Sequence, residues 1–190
     1  MTWLSLGLAL FLGIHLTQAL APRWRQGRIA TLGPMGWKAF YTVVSLIGLV
    51  LIVWGYSLAR QQPAVLWPAL RGMNHAAAAL MLVALVLLAA AHVPRNHIKA
   101  RLQHPLTLSV KVWAFAHLIA NNTATDLMLF GSFLVWSILV FRAARRRPAP
   151  AHAAPTLAGT AMAVVVGVGL WAAFAFWLHA AWLGIAPLGR

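Results

Sequence analysis

The sequence predicts an all-α integral membrane protein: six transmembrane helices with both termini outside, on the periplasmic side. Three observations carry this. Hydrophobic residues make up 62% of the 190-residue chain and charged ones 8%, whereas a soluble domain has about 25% charged residues. The mean hydropathy is +0.80. Apolar runs near the length of about 20 residues needed to cross a bilayer alternate with short basic loops, which organises the chain as one membrane domain.

The predicted spans are residues 3–20, 37–58, 73–92, 105–120, 125–141 and 157–183. The loop after span one carries Arg23, Arg25 and Arg28, and that after span three Arg95, Lys99 and Arg101. The loop after span five carries Arg142, Arg145, Arg146 and Arg147, while the alternate side has only Arg60, Arg71 and Arg190. Ten cations against three place the basic loops in the cytoplasm of a bacterial inner membrane. The formal charge of +14 is therefore topological and does not point to nucleic acid. With no cysteine, disulfides, iron–sulfur clusters and thiolate ligands are excluded, and a metal must use imidazole, carboxylate or methionine.

Span one carries His15, and Gly7 and Gly13 would let a neighbouring backbone approach. It has no basic n-region, so it reads as a retained helix and not as a signal peptide. His15 is either a histidine bonded across helices or a ligand. Gly33, Pro34 and Gly36 make the turn into span two, which Trp37 and Lys38 anchor at one surface and Trp54, Tyr56 and Arg60 mark at the other. The Pro-rich stretch 61–74 reads as a segment along the outer interface, leading to His75 at the start of an alanine-rich span three. His92 and His97 read as solvated loop histidines, and so does His152 in a basic linker.

The stretch 104–131, HPLTLSVKVWAFAHLIANNTATDLMLFG, holds the most chemistry. His104 stands at the N-cap before Pro105, as a cap or as a functional group. Lys111 interrupts an apolar helix, and Trp113, His117 and Asn121, four apart, share one face. Spans four and five form a hairpin whose turn, NNTATD, is recessed; it contains Asp126, the single acidic residue. His179 in the last span is either an interface histidine or part of an outer polar layer with His75 and Asp126. No internal repeat suggests a transporter.

Several histidines in a greasy helical bundle with one carboxylate fit zinc hydrolysis and proton relays poorly. Haem b needs one or two neutral imidazoles from facing helices, an apolar slot and cations for its propionates. Lys111, Lys38 and the arginines after span one are the candidate cations.

The segments LGLALFLGIHL, APRWR, WKAFYTVVSLIGLVLIVWGYSLAR, HPLTLSVKVWAFAHLIANN and FWLHAAWLGIAP together resemble the NnrU family of bacterial membrane proteins. That family is similar to the zeta-carotene isomerases, membrane enzymes that use haem b to isomerise a carbon–carbon double bond. It is itself associated with nitrite and nitric oxide reduction. The resemblance implies that His15 and His117 are an axial pair, that His104 matches a further family histidine, and that His75 matches a recurrent one. Counted along the helices, His117 lies about 18 Å from the cytoplasmic boundary and His15 about 9 Å; a His75–His117 pair is the rival. The isomerases carry a cysteine near the second histidine. Here that neighbourhood reads WAFAHL, so a thiolate exchange cannot operate. The expectation is a bis-histidine haem b protein for redox or nitric-oxide chemistry or polyene isomerisation. The alternative is a non-catalytic assembly or stability partner of denitrification enzymes in the membrane.

Overall fold

The computed structural model describes residues 1–148 and 153–188, so His152 and Arg190 lie outside the described residues. The chain is helical: α1 (Thr2–Leu20), α2 (Pro22–Ala59), α3 (Met73–His92), α4 (His97–Leu102), α5 (Pro105–Ala120), α6 (Ala124–Arg145) and α7 (Leu157–Ala173). A π turn, Phe174–Leu178, continues α7 into α8 (His179–Leu183). Helices α1, α2, α3, α6 and the continuous Leu157–Leu183 are each long and apolar enough to cross a membrane. Helix α5 is apolar but has 16 residues, a rise of about 24 Å against the roughly 30 Å of a bilayer core.

Local chemistry sets most boundaries. Gly72 adopts φ 80° at the N-cap of α3, and Pro105 takes the first turn of α5. Asn121 leaves the helix in an extended conformation, and the Thr123 side chain caps α6 by accepting from the Asp126 backbone N–H. The expected loop at residues 21–36 is helical instead. Pro22 starts α2, Gly27 stays within the helix, and Gly33, with φ of 71°, kinks it ahead of Pro34. The kink lays the arginine-rich segment back on the start of the span: Trp24 meets buried Trp37 at 5.9 Å, and the Arg25 guanidinium lies 5.7 Å from the Trp37 ring centre. The fifth span also runs past Phe141 to Arg145.

The helices pack in a row, α2 on α1, α1 on α6, α6 on α5, α5 on α3 and α3 on α7. Leu4, Leu8 and Leu12 of α1 meet Ile52 of α2 and Leu129 and Phe130 of α6 in the main core. Small residues bring backbones together. Gly7 faces Gly48 and Ile52, and Gly167 faces Val86, whereas Gly13, expected at such a contact, has open space beside it. Ser109 donates to the Ala84 carbonyl (2.7 Å) between α5 and α3, and the Trp171 indole to the Ala78 carbonyl (2.8 Å) between α7 and α3. The outer loop covers the hairpin turn: Leu66 N–H donates to the Asn122 carbonyl at 2.8 Å, and Ala124 N–H to that of Ala64 at 2.9 Å.

Candidate functional site

His15 sits near the arginine-rich end of α1. Its Nδ1 lies 2.6 Å from the Phe11 carbonyl, one turn back. A carbonyl can only accept, so Nδ1 carries a proton, and in the neutral ring Nε2 is the nitrogen with the lone pair. Phe11 (4.3 Å), Tyr41 (5.0 Å) and Trp136 (6.3 Å) surround the ring. His15 lines a cavity of about 520 Å³ together with Gln18, Arg25, Trp37, Lys38 and Tyr41, directly beneath the α2 kink. One imidazole, two cations and two aromatic walls thus share one space.

His117 occupies different surroundings. It stacks on buried Phe130 at 4.5 Å and contacts Trp113 at 5.2 Å, one turn back on the same face. Its Nδ1 lies 2.9 Å from the Trp113 carbonyl, which again leaves Nε2 with the lone pair. Asn121 caps this turn by donating to the His117 carbonyl at 2.8 Å.

The structure does not bring the expected axial pair together. Helix α6 stands between α1 and α5, and the two imidazoles connect only through an aromatic row in which Phe133 touches Phe11, Trp136 and Trp113. Phe130 beside His117 and Trp136 beside His15 are six residues apart on α6, a rise of about 9 Å. Two imidazoles on one iron need ring centres only about 6 Å apart. Among the described residues His15 and His117 thus have no direct ring contact, and aromatic side chains of α6 lie between them. The rival is not formed either: His75 is exposed at the start of α3, and no ring contact joins it to His117.

Of the expected cations, Arg25 and Lys38 reach the His15 cavity. Lys111 does not; its ammonium lies 4.6 Å above Phe141, a cation–π contact. His104 occupies the N-cap position of α5 but makes no capping hydrogen bond, and its ring is edge-on to the same Phe141 at 6.3 Å. Exposed His92 and His97 bond to the Leu88 carbonyl and to Thr160.

Two features escaped sequence reasoning. Asp126 is buried, and its carboxylate accepts from the Tyr56 hydroxyl (2.6 Å) and the Thr123 hydroxyl (2.6 Å). The Thr-x-x-Asp spacing of a capping box was the available signal for the second bond; nothing local signalled Tyr56. The other is His179, whose ring lies 6.5 Å from that of His117 at an interplanar angle of 26°. Among the described residues, no group of three or more His, Cys, Asp or Glu residues is placed to hold a metal ion.

A family model described as NnrU protein matches residues 3–187. Neither the curated proteins nor the solved structures give a match.

Proposed function

The chain belongs to the NnrU family, and on that premise we propose that it is a membrane haem b protein whose haem sits in the cavity beside His15. The observation that carries this reading is the cavity itself, which gathers His15, Arg25, Lys38, Trp37 and Tyr41 around about 520 Å³. That volume falls within the roughly 300–1,000 Å³ of cofactor and small-molecule sites.

The chain's residues have distinct tasks. The Phe11 carbonyl fixes the His15 tautomer and makes Nε2 more basic, the usual outer-shell support of a metal-binding imidazole. Arg25, laid on Trp37, and Lys38 would pair with the propionates of a bound haem. Trp37 and Tyr41 provide the apolar walls. When bound, a haem would supply a redox-active iron for nitric-oxide or polyene chemistry.

The test is the absorption spectrum of the purified protein. A Soret band is expected, reduced at least tenfold in His15→Ala, weakened in the double variant Arg25→Ala/Lys38→Ala, and retained in His97→Ala and His117→Ala. A colourless protein that takes up no added haemin overturns the reading and leaves the assembly role in denitrification. A band shift with nitric oxide supports the gas-related use, and conversion of a poly-cis carotenoid supports isomerisation.

The same reading includes six crossings of a bacterial inner membrane, α5 being the shortest, with both termini in the periplasm. Its support is the ten-to-three distribution of Lys and Arg. Because the chain has no cysteine, single substitutions report topology directly. Gln62→Cys should react with an impermeant maleimide in intact cells, and Arg101→Cys only after permeabilisation. The reverse pattern inverts the topology.

A further inference from the structure

We propose that His117 and His179 form a separate metal site on the hairpin side of the molecule. Their two Nε2 atoms would take up one divalent transition-metal ion of the Cu(II) or Zn(II) type. The site is independent of the haem reading, since it uses neither His15 nor its cavity.

The first observation is the state of the two rings. Nδ1 of His117 meets the Trp113 carbonyl at 2.9 Å, and Nδ1 of His179 meets the Ile185 carbonyl at 2.8 Å. Both carbonyls can only accept, so in each neutral ring Nε2 is the nitrogen with the lone pair. Among the described residues neither Nε2 has a hydrogen-bond donor. The ring centres are 6.5 Å apart. A metal gripped by both nitrogens holds such centres about 5–6 Å apart, so a small swing of either half-buried side chain closes the site.

The second observation is how His179 reaches this position. The π turn at Phe174–Leu178 immediately precedes it. One extra residue in a turn rotates everything beyond it by about 100°, and such π turns are rare and concentrate at functional sites. Gly184 then adopts φ 70°, which turns the chain so that the Ile185 carbonyl comes back to the His179 ring. Two departures from regular helix, on either side of His179, bring its imidazole beside that of His117.

The donor set selects the metal. The chain has no cysteine, and both oxygens of buried Asp126 are occupied by Tyr56 and Thr123. Two imidazoles remain, with the other positions left to water or a small anion. Imidazole suits copper, zinc and nickel, and copper binds tightest. Among the described residues no Lys or Arg is a ring or hydrogen-bond neighbour of the pair. This contrasts with the His15 cavity and suits a bare ion better than a porphyrin bearing carboxylates.

The test uses tag-free, full-length protein in detergent, stripped with a chelator and titrated with Cu(II). One Cu(II) per chain is expected, with an electron paramagnetic resonance signal split by two imidazole nitrogens. His117→Ala and His179→Ala should each weaken binding at least tenfold, while His75→Ala, on the same side, should not. Deleting Ala175 returns the π turn to α-helical register. It should lose the two-nitrogen signal with both histidines still present and the protein still monodisperse. A wild-type protein without that signal, or a signal unchanged in His179→Ala, overturns the site. His15→Ala should lose the Soret band and keep the copper signal, so the two readings fail separately.

Discussion

Replacing Gly55 by leucine is expected to separate α1 from α2 and abolish the monodisperse protein. A Cβ added at Gly55 would press on the backbone nitrogen of Leu4 and come within 2.8 Å of its Cα. Gly48, seven residues earlier on the same face of α2, meets Phe11 N at 2.8 Å in the same way, and Gly7 of α1 meets Ile52 N at 2.6 Å. Overpacking costs about 1–3 kcal/mol where side chains can yield. Here the obstacle is backbone, so the helices themselves must part. The loss would not stay local, because Leu4, Leu8 and Leu12 leave the core with α1. In the bilayer no hydrophobic force between helices compensates for lost contact. Size-exclusion chromatography of a fluorescent fusion should show Gly55→Leu as aggregate or as greatly reduced yield. Gly13→Leu is the control: nothing lies within 4 Å of a Cβ there, and it should elute like wild type. If both variants elute normally, the α1–α2 contact is not what holds this end together.

What could be read from the sequence, and what could not, divides along the range of the interactions. Residues 73–92 and 105–120 were expected as helices and are α3 and α5 to the residue. Their limits are written locally, in Gly72, Pro105 and the Asn121–Asn122 break. The arginine-rich stretch after Leu20 misled because charge was taken to mean loop. Between Pro22 and Gly33 only Gly27 weakens the helix, in ordinary helical conformation, and the glycine read as a turn is a kink within one helix. The site divides the same way. That His15 and Lys38 belong with an arginine of the segment after α1 was legible from residue types, and the three line one cavity as His15, Lys38 and Arg25. Which imidazole faces which was not, since it depends on the order α2–α1–α6–α5–α3–α7, and hydropathy carries no record of lateral order. Inserting α6 between α1 and α5 puts Phe133 and its neighbours between His15 and His117. His179 was obscured for a related reason. Helical counting across residues 157–183 assumes regular periodicity, and the π turn breaks that periodicity just before the histidine.

Asp126→Ala is expected to be the most damaging single substitution outside the glycine contacts. The carboxylate is buried, 7% exposed, and each oxygen accepts one short bond, from Tyr56 of α2 and from Thr123 at the cap of α6. It also lies in the first turn of α6, where a negative charge meets the positive end of the helix dipole. A hydrogen bond to a charged group contributes about 1.5–3 kcal/mol. Removing the carboxylate therefore costs about 3 kcal/mol or more and leaves the Tyr56 hydroxyl without its acceptor. Tyr56→Phe removes one bond and keeps the Thr123 one, so it should cost roughly half as much. Asp126→Asn keeps an acceptor without the charge and should fall between the two. Helices α2 and α6 touch little beyond this bond, so it ties the outer end of α2 to the rest of the row independently of α1. Thermal denaturation in detergent should thus rank wild type, Tyr56→Phe, Asp126→Asn and Asp126→Ala in falling order of midpoint. The Soret band expected of the proposed haem site should be unchanged in folded Tyr56→Phe, because Tyr56 lines no part of the His15 cavity. A midpoint for Asp126→Ala equal to wild type would mean that the single carboxylate is not what fastens α2 to α6.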